Sequence, residues 1–494
     1  MFEILSSVFW VGLATVFNLL VWVIAGKVMA VMLGPVGVGV YGLLRQFAQN
    51  ANVVSTFNGS TTLVQGLASL PAEQRPAFAR NVAIIFLGLG VVLGLGILLG
   101  ASWLAPRLLG KEIPVGVFRW MVIPLIGMSL SAFFLGVLNG YRQLKALVVC
   151  QALGPLSALA LIYPAAIWIR SGGYWAYSLI LGVPYALIGV SGAVVAFRKK
   201  WFTHLGGGTS EKSFRRDSRR FFGLSTALLV GGCATTGLQF FINGMVVRKL
   251  GLAESGQFWV AWSLSMTYVT VLLSSLGAYY LPSLSGTRDS EVKKQLILTF
   301  TRLVLVVMPV LVTLVIVLKA ECVRLMFSGD LLPSLKVFRW MLIGDMFKVL
   351  SWVWAFPMLA YAEGKTFLVL EVITNLIWGV LACIGFHLFP SIEYLGQLFC
   401  VIYLLYSSVT MMYLWFRHSI RLPLVLWFAL LRGVAVIVVA SVLFWNQSRL
   451  SPGRSLIALV LAALNLWISI SKSERRGILK KLFPPQGIGS SDAH

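Results

Sequence analysis

Charge is what this 494-residue chain has least of. Charged residues make up 11% of it, against about 25% in a soluble globular domain. Carboxylates are the scarcer sign: 16 Asp and Glu stand against 40 Lys and Arg. The four histidines and five cysteines are scattered, with no CxxC pair and no grouping at metal-ligand spacing. No metal and no disulfide framework is therefore expected. There is no Walker-type phosphate loop, no HExxH and no dinucleotide fingerprint. Nucleotide hydrolysis, zinc proteolysis and nicotinamide chemistry drop out as readings, and no cofactor is expected. Active transport without an ATP site has to draw on an ion gradient or on the substrate's own gradient.

What the chain has instead is long apolar runs. It is 59% hydrophobic, with a mean hydropathy of +0.88. About fourteen stretches are each long enough to cross roughly 30 Å of hydrocarbon as a helix. They include 6–31, 36–66, 254–280, 334–360 and 366–388. The runs are continuously apolar and do not alternate, which argues against strands. The N-terminus has Glu3 where a secretory signal would be basic, so the first run reads as a helix of the protein. The expected fold is an all-α polytopic membrane protein of about 14 transmembrane helices.

The first twelve runs repeat as two halves. Phe118-Arg119-Trp120-Met121 recurs as Phe338-Arg339-Trp340-Met341. A long apolar helix follows each copy, then a short polar joint, Tyr141-Arg142-Gln143-Leu144-Lys145 in one half and Tyr361-Ala362-Glu363-Gly364-Lys365 in the other. Leu33-Gly34-Pro35 opens the second run and Leu250-Gly251 the eighth. An even number of spans per half makes the repeats parallel, related by an axis along the membrane normal, with a central cavity between them; transporters use this plan for alternating access. The expected organisation is a six-helix lobe over 1–197, a basic cytoplasmic linker over 198–220, a second six-helix lobe over 221–416, two extra transmembrane helices over 417–471 and a basic cytoplasmic tail over 472–494.

The formal charge of +24 does not point to nucleic acid, because of where it sits. With a cytoplasmic N-terminus, the inside loops carry about twice as many Lys and Arg as the outside loops. The linker alone holds Arg198, Lys199, Lys200, Lys212, Arg215, Arg216, Arg219 and Arg220. These clusters suit orientation of the chain and contact with anionic membrane lipids. Cys322 is expected in an outside loop.

Charges within the spans are costly and mark sites or specific partners. Arg45, Gln49, Asn52, Thr56 and Ser60 recur at steps of three or four and form one polar stripe on a helix. Such a stripe either packs on another helix through hydrogen bonds or lines a wet cavity. Lys27 either snorkels to the interface or faces that cavity. Asp345 and Lys348 share a helical face, as a neutralising pair or as working groups. Their repeat counterparts are Leu125 and Met128, so the scaffold does without them. Glu371 aligns with Gln151. Arg432, outside the repeat, has no role assigned beyond pairing with the other lobe or a lipid phosphate. Lys27, Arg45, Gln49, Asn52 and Lys348 are candidates for binding an anionic substrate, and Asp345 and Glu371 for coupling to an ion.

These motifs taken in order resemble a known family. Gly26-Lys27 leads into Leu33-Gly34-Pro35, then Leu44-Arg45-Gln46-Phe47. Tyr280-Leu281-Pro282, Gly344-Asp345-Met346-Phe347-Lys348 and Leu370-Glu371-Val372 follow. The chain resembles the Wzx-type flippases of the polysaccharide-transporter family, including the O-antigen and enterobacterial common antigen translocases. They share a superfamily with MATE exporters and lipid II flippases. The resemblance covers roughly 1–416. It implies a bacterial inner-membrane protein, not an enzyme, with both termini cytoplasmic. Its expected activity is moving an undecaprenyl-pyrophosphate-linked glycan (an O-antigen, capsule or exopolysaccharide repeat unit) to the periplasmic leaflet, with polysaccharide polymerase machinery as a neighbour. It also implies that Lys27, Arg45, Asp345, Lys348 and Glu371 work in the central cavity. The two extra helices are similar to a pair that forms a lipid-tail groove in lipid II flippases. Two alternatives stand beside this reading. One is a membrane polysaccharide polymerase or ligase, which the short outside loops disfavour. The other is a MATE-like exporter, which the cationic inventory disfavours.

Overall fold

A computed structural model of the chain describes residues 2–108, 114–201, 211–287, 289–446 and 451–469. The tail expected over 472–494 and most of the Gly-bearing part of the linker, 202–210, lie outside the described residues. Fifteen α-helices and one short 3-10 turn make up the described chain, and no strand occurs among its residues. Twelve helical segments there are long and apolar enough to cross a bilayer. The count differs from fourteen at two places. The first two expected spans run together, and the eighth is a 35-residue helix outside those twelve.

The joined spans form α1 (Phe2–Ser55). A straight helix of 54 residues would be about 81 Å long, more than twice the hydrocarbon thickness. The helix is instead kinked at Gly34, where φ is 65°, a value that suits a residue without Cβ. Pro35 follows and offers no backbone N–H to the ladder.

The second expected span is itself interrupted. After Ser55 the chain makes a turn in which Phe57 and Asn58 both have positive φ. It then resumes as α2 (Ser60–Ser69). The Asn58 N–H bonds the carbonyl of Val53 at 2.7 Å, and its side-chain amide donates to Leu228 O at 2.6 Å. The polar stripe therefore ends at Asn52. Thr56 folds back onto Asn52 O at 2.7 Å, and Ser60 starts a new helix.

The first half continues through α3 (Arg75–Leu108), α4 (Gly116–Trp120), α5 (Val122–Gly140), α6 (Leu144–Arg170) and α7 (Ala176–Arg198). The second half holds α8 (Glu211–Leu250), α9 (Leu252–Gly286), α10 (Ser290–Met326), α11 (Leu335–Ala360), α12 (Gly364–Leu388) and α13 (Ile392–His418). The extra pair is α14 (Leu424–Leu443) and α15 (Pro452–Ser469). Because α10 runs to Met326, Cys322 lies on a helix and not in a loop.

The chain divides into two compact units. One comprises Met1–Leu264, Cys322–Phe338 and Gly364–Leu398; the other comprises Ser265–Glu321, Arg339–Glu363 and Phe399–His494. The first unit contains the place where the two repeats meet as equivalents. Gly251, like Gly34, has a positive φ, at 101°. Gly39 follows Gly34 by the same interval that Gly256 follows Gly251. A Cβ on Gly39 would lie 2.1 Å from the Leu252 carbonyl oxygen; one on Gly256 would lie 2.2 Å from that of Pro35. Each would also come within 3.0 Å of the other glycine's nitrogen. The contact is reciprocal, as a two-fold relation requires. Two bare backbone stretches cross there, a close approach that small residues allow inside membranes.

Candidate functional site

The charged and amide residues of the expected site fall into three settings. On α1, the half-buried Lys27 donates to the carbonyl oxygen of Arg324, in the last turn of α10. A cation there complements the free carbonyls and negative end of that helix. Arg45 is also half-buried, with the hydroxyl of Tyr41 as a hydrogen-bond partner and Tyr185 of α7 close by. Gln49 is exposed. Asn52 is half-buried, and its Oδ1 is buried with no hydrogen-bond partner among the described residues.

One position along from the stripe lies a second polar face. Gln46 Oε1 accepts from Asn243 Nδ2 at 3.0 Å, and Asn243 Oδ1 accepts from Ser255 at 2.7 Å. Asn50 donates to the Thr236 carbonyl at 3.0 Å and accepts from the Thr236 hydroxyl at 2.8 Å. This ladder stitches α1 to α8. Helix packing is thus done by Gln46 and Asn50, while Arg45, Gln49 and Asn52 lie on a different face of the same helix.

In the second unit, Asp345 of α11 is fully buried. Ser265 of α9 donates to both its oxygens, at 2.8 and 2.9 Å, and the Tyr268 hydroxyl donates to Oδ2. A buried carboxylate needs such donors, because burial strips its water. Lys348, one turn on, is 5% exposed. Its Nζ lies 3.0 Å from the Met266 sulfur, with the rings of Phe399 and Tyr403 of α13 at 5.4 and 5.0 Å. An ammonium against ring faces retains an electrostatic partner in a site with little water.

Glu371 of α12 belongs to the first unit. Its Oε1 accepts from Thr235 of α8 at 3.1 Å. It stands at one end of an apolar groove of about 500 Å³ between these two helices, lined among others by Leu238, Phe241, Leu376 and Val380. Asp345 and Glu371, paired as ion-coupling candidates, thus sit in separate compact units with separate donors.

Ser265, Tyr268, Gln46, Asn50 and Asn243 are partners that sequence reasoning did not single out. One signal pointed to Ser265 and Tyr268: the eighth run is among the least apolar, and the two stand three apart on its helix. Arg432 has a partner within the extra pair, with Nε on Asn465 Oδ1 at 2.7 Å and Nη2 on Ser469 Oγ at 2.6 Å. Buried Lys319 of α10 donates to the Phe444 carbonyl at 2.7 Å. The Arg339 guanidinium lies 3.9 Å from the Trp445 ring centre. The C-terminal end of α14 is therefore held by cations from α10 and α11. No group of three or more His, Cys, Asp or Glu that could hold a metal occurs among the described residues.

Kinked and interrupted helices, a two-fold glycine crossing and buried charges with specific donors define a polytopic helical membrane protein of transporter architecture. The chain belongs to the polysaccharide biosynthesis protein family, whose model matches residues 4–288. It is 22% identical over 427 residues to the lipid III flippase of Escherichia coli (strain K12), covering 83% of this chain and 98% of that protein. The lipid III flippase of Shigella flexneri matches to the same extent. Among solved structures, the lipid II flippase MurJ in an inward closed conformation superposes with a TM-score of 0.70 at 13% identity, over 97% of this chain and 99% of that one. An inward-facing multidrug resistance MATE family transporter gives 0.68 at 14% identity, over 82% and 98%. The two structural matches show a shared fold.

Proposed function

We propose that the protein is a flippase. It carries an undecaprenyl-pyrophosphate-linked oligosaccharide, such as an O-antigen, capsule or exopolysaccharide repeat unit, from the cytoplasmic to the periplasmic leaflet of the bacterial inner membrane. It makes and breaks no covalent bond of its cargo. The observation that carries this reading is the match to lipid III flippases over nearly their whole length. The duplicated helices and the reciprocal crossing at Gly39 and Gly256 support it, since two equivalent halves can rock about such an axis.

The physical task is to move a sugar headgroup across hydrocarbon, where its polar groups would lose water without replacement. Lys27 and Arg45 offer positive charge to the pyrophosphate, and Gln49 and Asn52 offer amides to the sugars. Lys348 adds a third cation that the phosphate can claim. Asp345 and Glu371 bind and release the coupling ion, a proton. When substrate engages Lys348, the electrostatic support it gives the Asp345 carboxylate weakens, which ties ion binding to loading. Both termini, the linker 198–220 and the tail 472–494 face the cytoplasm.

Deletion of the gene in its host tests the reading. The lipid-linked repeat unit is expected to accumulate on the cytoplasmic leaflet. Accumulation on the periplasmic leaflet would instead indicate a polymerase or ligase acting after the flip.

A further inference from the structure

At the end of the first half where the basic linker begins, the turn after α5 and the entry to α3 enclose a polar cavity of about 320 Å³. Ala68, Arg75, Gly140, Tyr141 and Arg142 line it. Its walls are stiff. Directly behind them is a buried cluster including Leu67, Phe78, Phe133 and Phe221. The Tyr141 ring stacks flat on Trp201, centroids 4.2 Å apart and planes 6° apart. The Arg75 guanidinium stands 5.8 Å from the centre of the same ring while its Nε holds the Leu70 carbonyl at 2.9 Å. Arg220 comes from the start of α8 to bond Ser69 at 2.7 Å, next to the cavity residue Ala68. Glu73 is the nearest carboxylate in sequence and is exposed. Asp217, buried close by on α8, is engaged with Asn81 at 2.8 Å and Arg216 at 3.3 Å.

The second repeat builds the same device and uses it differently. Tyr361 stacks on His418 at 3.9 Å, and Lys293 stands 4.6 Å from its ring centre. Where the first repeat has Arg142-Gln143, the second has Ala362-Glu363. Glu363 accepts from Tyr413 at 2.6 Å, from His418 at 3.0 Å and from Arg417 at 3.3 Å. The scaffold of cation, tyrosine and second ring is common to both halves. The second half places a carboxylate of its own among the cations. The first half replaces that carboxylate by Gln143, adds Arg142 and leaves a cavity beside the tyrosine.

We propose that the first-half cavity is a binding site for a phosphate group on a membrane lipid. Arg75 and Arg142 supply the charge, and the Tyr141 ring supplies an apolar wall. The ligand's phosphate does for these cations what Glu363 does for those of the second half. Guanidinium groups suit phosphate oxygens because they present several N–H donors in a plane. The same chemistry is offered by an anionic phospholipid and by a polyprenyl pyrophosphate; only the second source depends on the proposed function.

The test is lipid binding to purified full-length protein. Nanodiscs of phosphatidylcholine are doped in one arm with phosphatidylglycerol and in the other with undecaprenyl pyrophosphate, and retained lipid is measured by mass spectrometry after limited delipidation. The Arg75→Gln, Arg142→Asn double variant is expected to bind at least one of the two at least about tenfold more weakly, the size of losing charge-assisted bonds. Loss in both arms supports a site for the shared phosphate chemistry. Loss in only one supports the site and identifies its source. Should the double variant fail to fold, Arg142→Asn alone decides. Residue 142 has φ of 56°, which Asn tolerates, and a several-fold loss is expected. Unchanged binding in both arms, at unchanged melting temperature, overturns the proposal.

Discussion

The crossing at Gly39 and Gly256 makes a quantitative demand on the fold. An alanine Cβ at either position falls 2.1 to 2.2 Å from a backbone carbonyl oxygen, whereas a carbon normally approaches such an oxygen to about 3.3–3.6 Å. The helices have to separate by about 1 Å, and no side chain can move aside, since the opposing atoms are backbone. Overpacking of this kind costs about 1–3 kcal/mol, so Gly39→Ala and Gly256→Ala are each expected to destabilise by about 2 kcal/mol. The two changes open the same gap. Their double variant should therefore fall short of the sum by about 1 kcal/mol, within the range seen for residues in contact. Chemical unfolding in detergent micelles measures all three. Gly88→Ala serves as the control: its Cβ would meet nothing within 4 Å, and alanine is the better helix former. If the Gly39 and Gly256 variants are as stable as wild type, or if their effects simply add, the reciprocal backbone contact is wrong.

Other consequences concern the charged groups. Lys27→Ala combined with Arg45→Ala should abolish export at normal protein levels; full export in complementation would remove both from substrate binding. Glu371→Gln keeps a carbonyl to accept from Thr235 but cannot carry a proton. It should still bind substrate yet lose its response to a pH gradient in reconstituted vesicles, and unchanged gradient dependence would make Glu371 structural. Burial alone would raise the Glu363 carboxyl, but hydrogen bonds from Tyr413, His418 and Arg417 outweigh it and hold the group below the usual carboxylate range. A lowered folded value means that Glu363 stabilises above the unfolded value of about 4.3 and loses this contribution as pH falls through the folded value. Glu363→Gln should thus melt below wild type near neutrality, and the difference should shrink in acid. A constant gap across pH would contradict the assignment.

The helices were legible because a bilayer demands continuous apolar runs, and the duplication because Phe118–Met121 and Phe338–Met341 kept four letters in common. Chain reversals were less legible. Gly34-Pro35 looks like a break between spans but acts as a kink within α1. The interruption at Phe57 and Asn58 carries neither glycine nor proline where φ turns positive; its one sign in the sequence is the Asn58-Gly59 pair, a turn dipeptide inside an otherwise continuous run. Side-chain partners were hardest. Arg45 and Gln46, like Gln49 and Asn50, are neighbours in sequence but differ by about a quarter turn around the helix. Which of each pair packs on α8 depends on Asn243 and Thr236, almost 200 residues on. Ser265 and Tyr268 meet Asp345 across a gap of 80 and 77 residues, and no helical periodicity reports such a contact.

The central claim is most directly tested by reconstitution. Purified protein is placed in liposomes with a fluorescently tagged undecaprenyl-pyrophosphate-linked glycan, and an impermeant quencher reads the tag's leaflet before and after an imposed pH gradient. The account predicts that the protein makes the protected fraction accessible, faster with the gradient, and that the Lys27→Ala, Arg45→Ala variant does not. Accessibility unchanged from protein-free liposomes, with folded protein in the membrane, would contradict it.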